Sequence, residues 1–272
     1  MRYLKILFDL YLKSSTHVSL AVVAFSGITI LHFGIKPNPD LLTFIFFGTI
    51  TGYNFVKYAA IAKFHHFSLS KSLRMIQIYS FLCFAGLIWA ALKLPLPVLL
   101  TAAVLGGFNL LYALPFFSDQ YKLRSITGAK IFVIALVWTG VTVWLPALDA
   151  QLPFSVEIGI ASLQRFLLVM VLILPFDIRD IRFDTEQLGT VPQLVGVEKT
   201  RSIGLVLLGI VVLLELFQPS ASGPEIAVMA AMAIFTAWLV QKSVIRQNRY
   251  YASFWVEGVP VLWWAILVIV TG

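Results

Sequence analysis

Three carboxylates recur at Asp177, Asp180 and Asp184, within the run LPFDIRDIRFDTEQLGTVPQLVG. The spacing i, i+3, i+7 puts all three on one face of a helix. Carboxylates this close repel one another unless a cation sits among them. Hard oxygen donors suit magnesium, which commonly joins a protein carboxylate to a substrate phosphate. The competing reading pairs the same carboxylates with Arg179, Arg182 or loop lysines.

Two other segments carry complementary groups. Lys122, Arg124 and Lys130 follow closely in FFSDQYKLRSITGAK. Lysine and arginine together can hold a phosphate group, and the alternative is an ordinary basic loop. Asn54 and Lys57 stand one turn apart in the apolar run TGYNFVKYAAIAKFHH. Lys57 either snorkels to an interface or faces a polar interior and pairs with an anion. His65 and His66 follow without companion ligands. Asn109 and Tyr112, one turn apart before Pro115, line a cavity or bond between helices.

The elements that must position these groups are set by composition. Of 272 residues, 60% are hydrophobic and 12% charged, and the mean hydropathy is +0.91. So few charges cannot cover a soluble globule of this size, and disordered chains are poor in apolar residues. The apolar runs are continuous, whereas an outer-membrane barrel would alternate. The single cysteine, Cys83, excludes an intramolecular disulfide and a zinc–thiolate cluster. It reads as a small buried apolar residue. The chain is therefore expected to be all-α and polytopic, in one domain over residues 1–272.

Nine stretches have the length that crosses a bilayer as a helix: roughly 17–33, 41–62, 75–92, 96–116, 126–147, 158–177, 203–217, 224–240 and 254–271. With the N-terminus inside, the inner side carries Arg2, Lys5, Lys13, Lys63, Lys71, Arg74, Lys122, Arg124, Lys130, Arg179, Arg182, Lys199, Arg201, Lys242, Arg246 and Arg249. The outer side carries Lys36 and Lys93 alone, and Lys57 and Arg165 fall within spans. This bias predicts a cytoplasmic N-terminus and an external C-terminus in the inner (plasma) membrane. It also assigns the +7 net charge to the membrane face rather than to nucleic acid. Residues 1–13 alternate charged and apolar groups at helical spacing, the mark of an amphipathic helix at the cytoplasmic interface.

The three polar segments follow the second, fourth and sixth spans, and together they resemble the UbiA-type intramembrane prenyltransferases over essentially the whole chain. Arg179, Asp180 and Asp184 match the family's R-D-x-x-x-D core, which Asp177 extends. Tyr112 to Lys130, with Pro115, Lys122 and Arg124, resembles the family's Y-x-x-P…K stretch. The resemblance implies about nine helices around a central apolar cavity with a polar cytoplasmic mouth. It implies that magnesium on Asp177, Asp180 and Asp184, with Lys122, Arg124, Arg179 and Asn54, binds an isoprenyl diphosphate. The diphosphate then ionises, and the allylic cation alkylates a hydrophobic acceptor. The family's first motif, N-D-x-x-D-x-x-x-D, reads N-F-V-K-Y-A-A-I-A here from Asn54 to Ala62. Phe55, Tyr58 and Ala62 stand at the aspartate positions, so one magnesium site is missing and Lys57 is expected to supply positive charge instead. The turn after Asp184, TEQLGTVP, lacks the family's lysine.

Two further readings compete. The cation could be quenched internally, as in a terpene cyclase, with Trp138, Trp144, Trp255, Trp263 or Trp264 stabilising it or merely forming interfacial belts. A non-catalytic lipid-diphosphate binder or a transporter would use Lys57, Arg165, Glu215 and Glu257 as intramembrane charges.

Overall fold

The computed structural model describes residues 2–64, 71–113, 128–183 and 189–271. Every regular element among them is helical. In chain order these are α1 (Arg2–Lys13), α2 (Thr16–His32), α3 (Pro39–Phe64), α4 (Lys71–Ala91), α5 (Leu96–Ala113) and α6 (Ala129–Thr139). Helix α6 runs through a π-helical segment (Gly140–Trp144) into α7 (Leu145–Asp149). Then come α8 (Val156–Asp180), α9 (Val191–Val195), α10 (Val197–Leu216) and α11 (Gly223–Lys242). A second π-helical segment (Tyr251–Val256) leads into α12 (Val259–Thr271).

Helix lies over each of the nine apolar stretches that the sequence predicts. By length and composition alone, five are long and apolar enough to cross a membrane, and six if the bent pair of α1 and α2 counts as one. The chain is a multi-pass membrane protein. Its outward side chains agree: Phe81, Ile234 and Ile269 are 73%, 72% and 80% exposed, a water-facing liability that lipid removes.

Helix starts follow ordinary capping chemistry. Ser155 accepts the Ile158 N–H at the start of α8, and Ser222 with Glu225 forms a capping box at α11. These side chains satisfy orphan N–H groups that a membrane interface leaves unpaired. Ser15 instead adopts the left-handed region at φ 62°. That residue breaks the rod, so α1 meets α2 at 59°, as an interfacial helix meeting a span would.

The main core joins α2, α6, α8 and α10 to α12, with Phe25, Val171, Val211 and Val256 fully buried. Small residues allow close approach in place of a hydrophobic drive. A Cβ on Gly27 would stand 2.5 Å from the Trp264 indole. At the end bearing the predicted outer loops, Lys93 pairs with Asp40 at 2.8 Å and Asn38 donates to Asp149. Between that end and the middle, Arg165 is buried, donating to the Phe25 carbonyl at 2.8 Å, and Gln164 donates to Glu215 at 2.7 Å. These two intramembrane charges tie helices together and do not line the large cavity.

Candidate active site

At the opposite end a cavity of about 640 Å³ opens between α1, α3, α6, α8 and the C-terminal helix. Each wall contributes one or two residues per turn, at the three- and four-residue spacings that put side chains on one helix face. Helix α6 presents Lys130, Ile134 and Trp138, and α8 presents Asp180, Arg179, Phe176, Ile173, Leu172 and Val169. Helix α3 adds Tyr53, Val56, Lys57 and Tyr58, and the C-terminal wall adds Arg249, Tyr250, Ser253, Glu257 and Pro260. Charged groups gather at one end and apolar groups fill the other. At the floor Trp138 donates to the Tyr53 hydroxyl at 2.8 Å. Trp138 is the one tryptophan of the five considered that lines this cavity.

The lining carries five cations, Lys13, Lys57, Lys130, Arg179 and Arg249, against three acids, Asp9, Asp180 and Glu257. Arg179 forks onto Asp180, Nε to Oδ1 at 2.7 Å and Nη2 to Oδ2 at 2.9 Å, and its Nη1 donates to Ser253 at 3.2 Å. The neighbouring pair is therefore held against the C-terminal helix. Asp177 does not line the cavity. It is buried and accepts from Lys130 Nζ at 2.7 Å, so this carboxylate serves the joint between α6 and α8.

Lys57 donates to the Ser15 hydroxyl at 2.9 Å and lies 5.8 Å from the Tyr53 ring centroid. It lines the cavity, with its ammonium group anchored at the elbow between α1 and α2. Asn54 is buried behind it rather than on the cavity wall. Its amide donates to Ser14 O at 3.0 Å and Ser80 at 2.8 Å, and its carbonyl accepts from Ser15 at 2.8 Å. Both its N–H bonds and its acceptor are taken, so Asn54 holds the α1–α2 elbow that in turn holds Lys57. Tyr58 donates to Lys13 O at 3.0 Å and completes the clasp.

The mouth has a latch that the sequence reading missed. Asp9 accepts from Tyr250 at 2.7 Å and also from Arg249. The Tyr250 hydroxyl and the Arg249 guanidinium hold the Asp9 carboxyl below its ordinary range. Glu257, which the sequence reading weighed only as an intramembrane charge of a lipid binder or transporter, lies on the wall with Ser253. The signal was present as Tyr250, Ser253 and Glu257 at i, i+3, i+7, the same spacing as the aspartates.

Lys122, Arg124 and Asp184 lie outside the described residues, as do His65, His66 and Pro115. Among the described residues no three His, Cys, Asp or Glu side chains gather as a metal cage.

No family model matches the chain. A search of curated proteins finds no match either. Solved structures do. A UbiA homolog from Archaeoglobus fulgidus, bound to GPP and Mg²⁺, superposes with TM-score 0.66 at 15% identity, covering 96% of this chain and 98% of that one. An apo UbiA homolog from Aeropyrum pernix K1 gives TM-score 0.66 at 14% identity, over 92% and 97%. A structure of digeranylgeranylglyceryl phosphate synthase gives 0.57 at 16%, over 99% and 97%. A graded cavity, polar at one end and apolar at the other, thus stands in a helical frame shared along nearly all of each chain: the protein has the UbiA-type prenyltransferase fold.

Proposed function

We propose that this protein is an intramembrane prenyltransferase. It binds an isoprenyl diphosphate at the charged end of the cavity and transfers the prenyl group to a hydrophobic acceptor. The observation that carries the reading is the polarity gradient: five cations at the mouth, and an apolar chamber ending at Trp138 and Pro260. A diphosphate ester of a lipid alcohol has the same gradient. Neighbouring structures with this fold hold DMAPP or GPP with Mg²⁺.

Magnesium fits on one side of this cavity. It keeps several waters and needs only one or two protein carboxylates beside substrate phosphates. Asp180 lines the wall, and its fork with Arg179 would open to give the metal an oxygen and the head group the guanidinium; Asp184, four residues on, is its expected companion. Asp177 is committed to Lys130. On the facing helix α3, Phe55, Tyr58 and Ala62 stand at the positions of a second carboxylate cluster and Lys57 lies beside them, so the site takes one magnesium. When bound, the metal supplies charge neutralisation to the diphosphate. The chain's own groups do the rest. Lys57 and Arg179 hold the head group, with Lys122 and Arg124 as further phosphate ligands. Charge fixed in advance at the leaving group stabilises the transition state without reorganisation. The Trp138–Tyr53 pair shapes the chamber and faces the developing allylic cation. The mouth opens to the cytoplasm of the inner (plasma) membrane, with the C-terminus outside.

The test is turnover. Purified protein in lipid nanodiscs, given labelled geranyl diphosphate, Mg²⁺ and a membrane lipid extract, should move label into a prenylated lipid. Saturable binding with neither transfer nor release of diphosphate would make the chain a lipid-diphosphate binder. A cyclic hydrocarbon product would make it a cyclase.

A further inference from the structure

The C-terminal wall places Tyr250, Ser253, Glu257 and Pro260 down one helix face. The π-helical segment Tyr251–Val256 lies within this run, and π turns inside helices are frequent at functional sites. The upper two polar groups are engaged, Tyr250 by Asp9 and Ser253 by Arg179. Glu257 differs. Among the described residues its carboxylate has no hydrogen bond or ion pair, although Lys57 and Arg179 act on it through space. An ionisable group kept at such a place in a membrane protein marks function.

Its height in the cavity says which function. Glu257 is one turn inward from Ser253, which meets the Arg179 guanidinium, and one turn outward from Pro260 at the floor. Lys57 and Arg179 both act on Glu257 from the charged end, so a head group held by them would present the first carbon of its prenyl chain toward Glu257. We infer that Glu257 is the base that takes the acceptor's proton; this rests on the prenyl-transfer reading. The bond from the first prenyl carbon to the diphosphate oxygen breaks, and its electron pair leaves on that oxygen. The acceptor's nucleophilic atom bonds to the carbon with its own pair, and the proton which that atom carried passes to the Glu257 carboxylate. The products are the prenylated acceptor and diphosphate, and the proton returns to water through the mouth. The acceptor is therefore of the class that must lose a proton where it is alkylated: an aromatic ring carbon or a hydroxyl.

The test compares parent, Glu257→Gln and Glu257→Asp in nanodiscs with labelled geranyl diphosphate, Mg²⁺ and a membrane lipid extract. Three quantities are read: binding of geranyl diphosphate, geraniol from capture of the cation by water, and prenylated lipid. Glu257→Gln removes a negative charge beside the diphosphate, so it should bind geranyl diphosphate at least as tightly as the parent and still release geraniol. Its transfer to lipid should fall by about 100-fold or more, the scale of general-base catalysis. Glu257→Asp should recover part of the transfer. Retained binding shows that the variant is folded. Transfer by Glu257→Gln within about threefold of the parent would overturn the inference, given how much a positioned base contributes. Loss of geranyl diphosphate binding in that variant would overturn it too, because the carboxylate would then serve the head group. A parent that neither binds geranyl diphosphate nor releases geraniol would overturn the prenyl-transfer reading itself, and this inference with it.

Discussion

Lys57 Nζ is held 2.9 Å from the Ser15 hydroxyl, and Ser15 is the residue whose left-handed backbone separates α1 from α2. One side chain thus connects the charged cavity wall to the elbow of the interfacial helix. Asn54 fixes the same serine from behind. Removing Asn54 strands buried partners, so Asn54→Ala should lower stability by about 1–3 kcal/mol. Ser15→Ala should keep most of the stability but loosen Lys57. Thermal unfolding in detergent, set beside geranyl diphosphate titration, separates the two. Equal unfolding of parent and Asn54→Ala would contradict the clasp.

Lys57→Met keeps the volume and removes the charge. It should weaken diphosphate binding by about 1.5–3 kcal/mol, the scale of a hydrogen bond to a charged group. Titration of geranyl diphosphate at fixed Mg²⁺ measures it, and an unchanged affinity would remove Lys57 from the site.

Asp177 and Asp180 should separate by phenotype. Asp177 is buried against Lys130, so Asp177→Asn should cost about 1–3 kcal/mol of stability. Asp180 is partly exposed on the cavity wall, so Asp180→Asn should chiefly cost Mg²⁺-dependent binding. The reverse pattern in unfolding and binding assays would interchange their roles.

Asp9 carries a pH dependence. Its folded carboxyl lies below the ordinary value of 3.8 because Tyr250 and Arg249 favour the charged form. A depressed carboxylate stabilises the fold above its unfolded value and loses that contribution as pH falls through the folded value. The latch should therefore be intact above the ordinary value of 3.8 and open only as pH falls through the lower folded value. Hydrogen exchange in α1 should rise in that acid window, and Asp9→Asn should show the open level already at neutral pH. Slow exchange in Asp9→Asn would mean that packing, not the latch, holds α1.

How much of this was legible in the sequence depends on the kind of signal. The helical rods were, because lipid demands long apolar runs, and the predicted spans coincide closely with α2, α3 and α8. The place of Lys57 and Asp180 on the cavity wall was, because a charge beside or within an apolar run is costly and turns toward a polar space. The split between Asp177 and Asp180 was not, since helical spacing puts both on one broad face and only packing against α6 gives Asp177 to Lys130. Asn54 was legible as important but not in its role, because its partners Ser14, Ser15 and Ser80 come from two other helices. The Asp9 latch joins residues 240 or more positions apart, which no local pattern encodes. Glu257 lies beside a π-helical segment, and such a segment shifts the register that a 3.6-residue reading assumes.

The topology has its own test. A reporter fused after Gly272 should lie outside the cytoplasm, and one inserted near residue 190 or 246 should lie inside. A cytoplasmic C-terminus would contradict the nine-span arrangement.

The most direct measurement of the central claim is the binding of geranyl diphosphate to purified protein, with and without Mg²⁺, for the parent, Asp180→Ala and Lys57→Met. The parent should bind saturably, with Mg²⁺ dependence at a single site. Asp180→Ala should lose that Mg²⁺ dependence, and Lys57→Met should bind more weakly. No binding by the folded parent, or equal binding by all three proteins, would rule out a prenyl diphosphate site in this cavity.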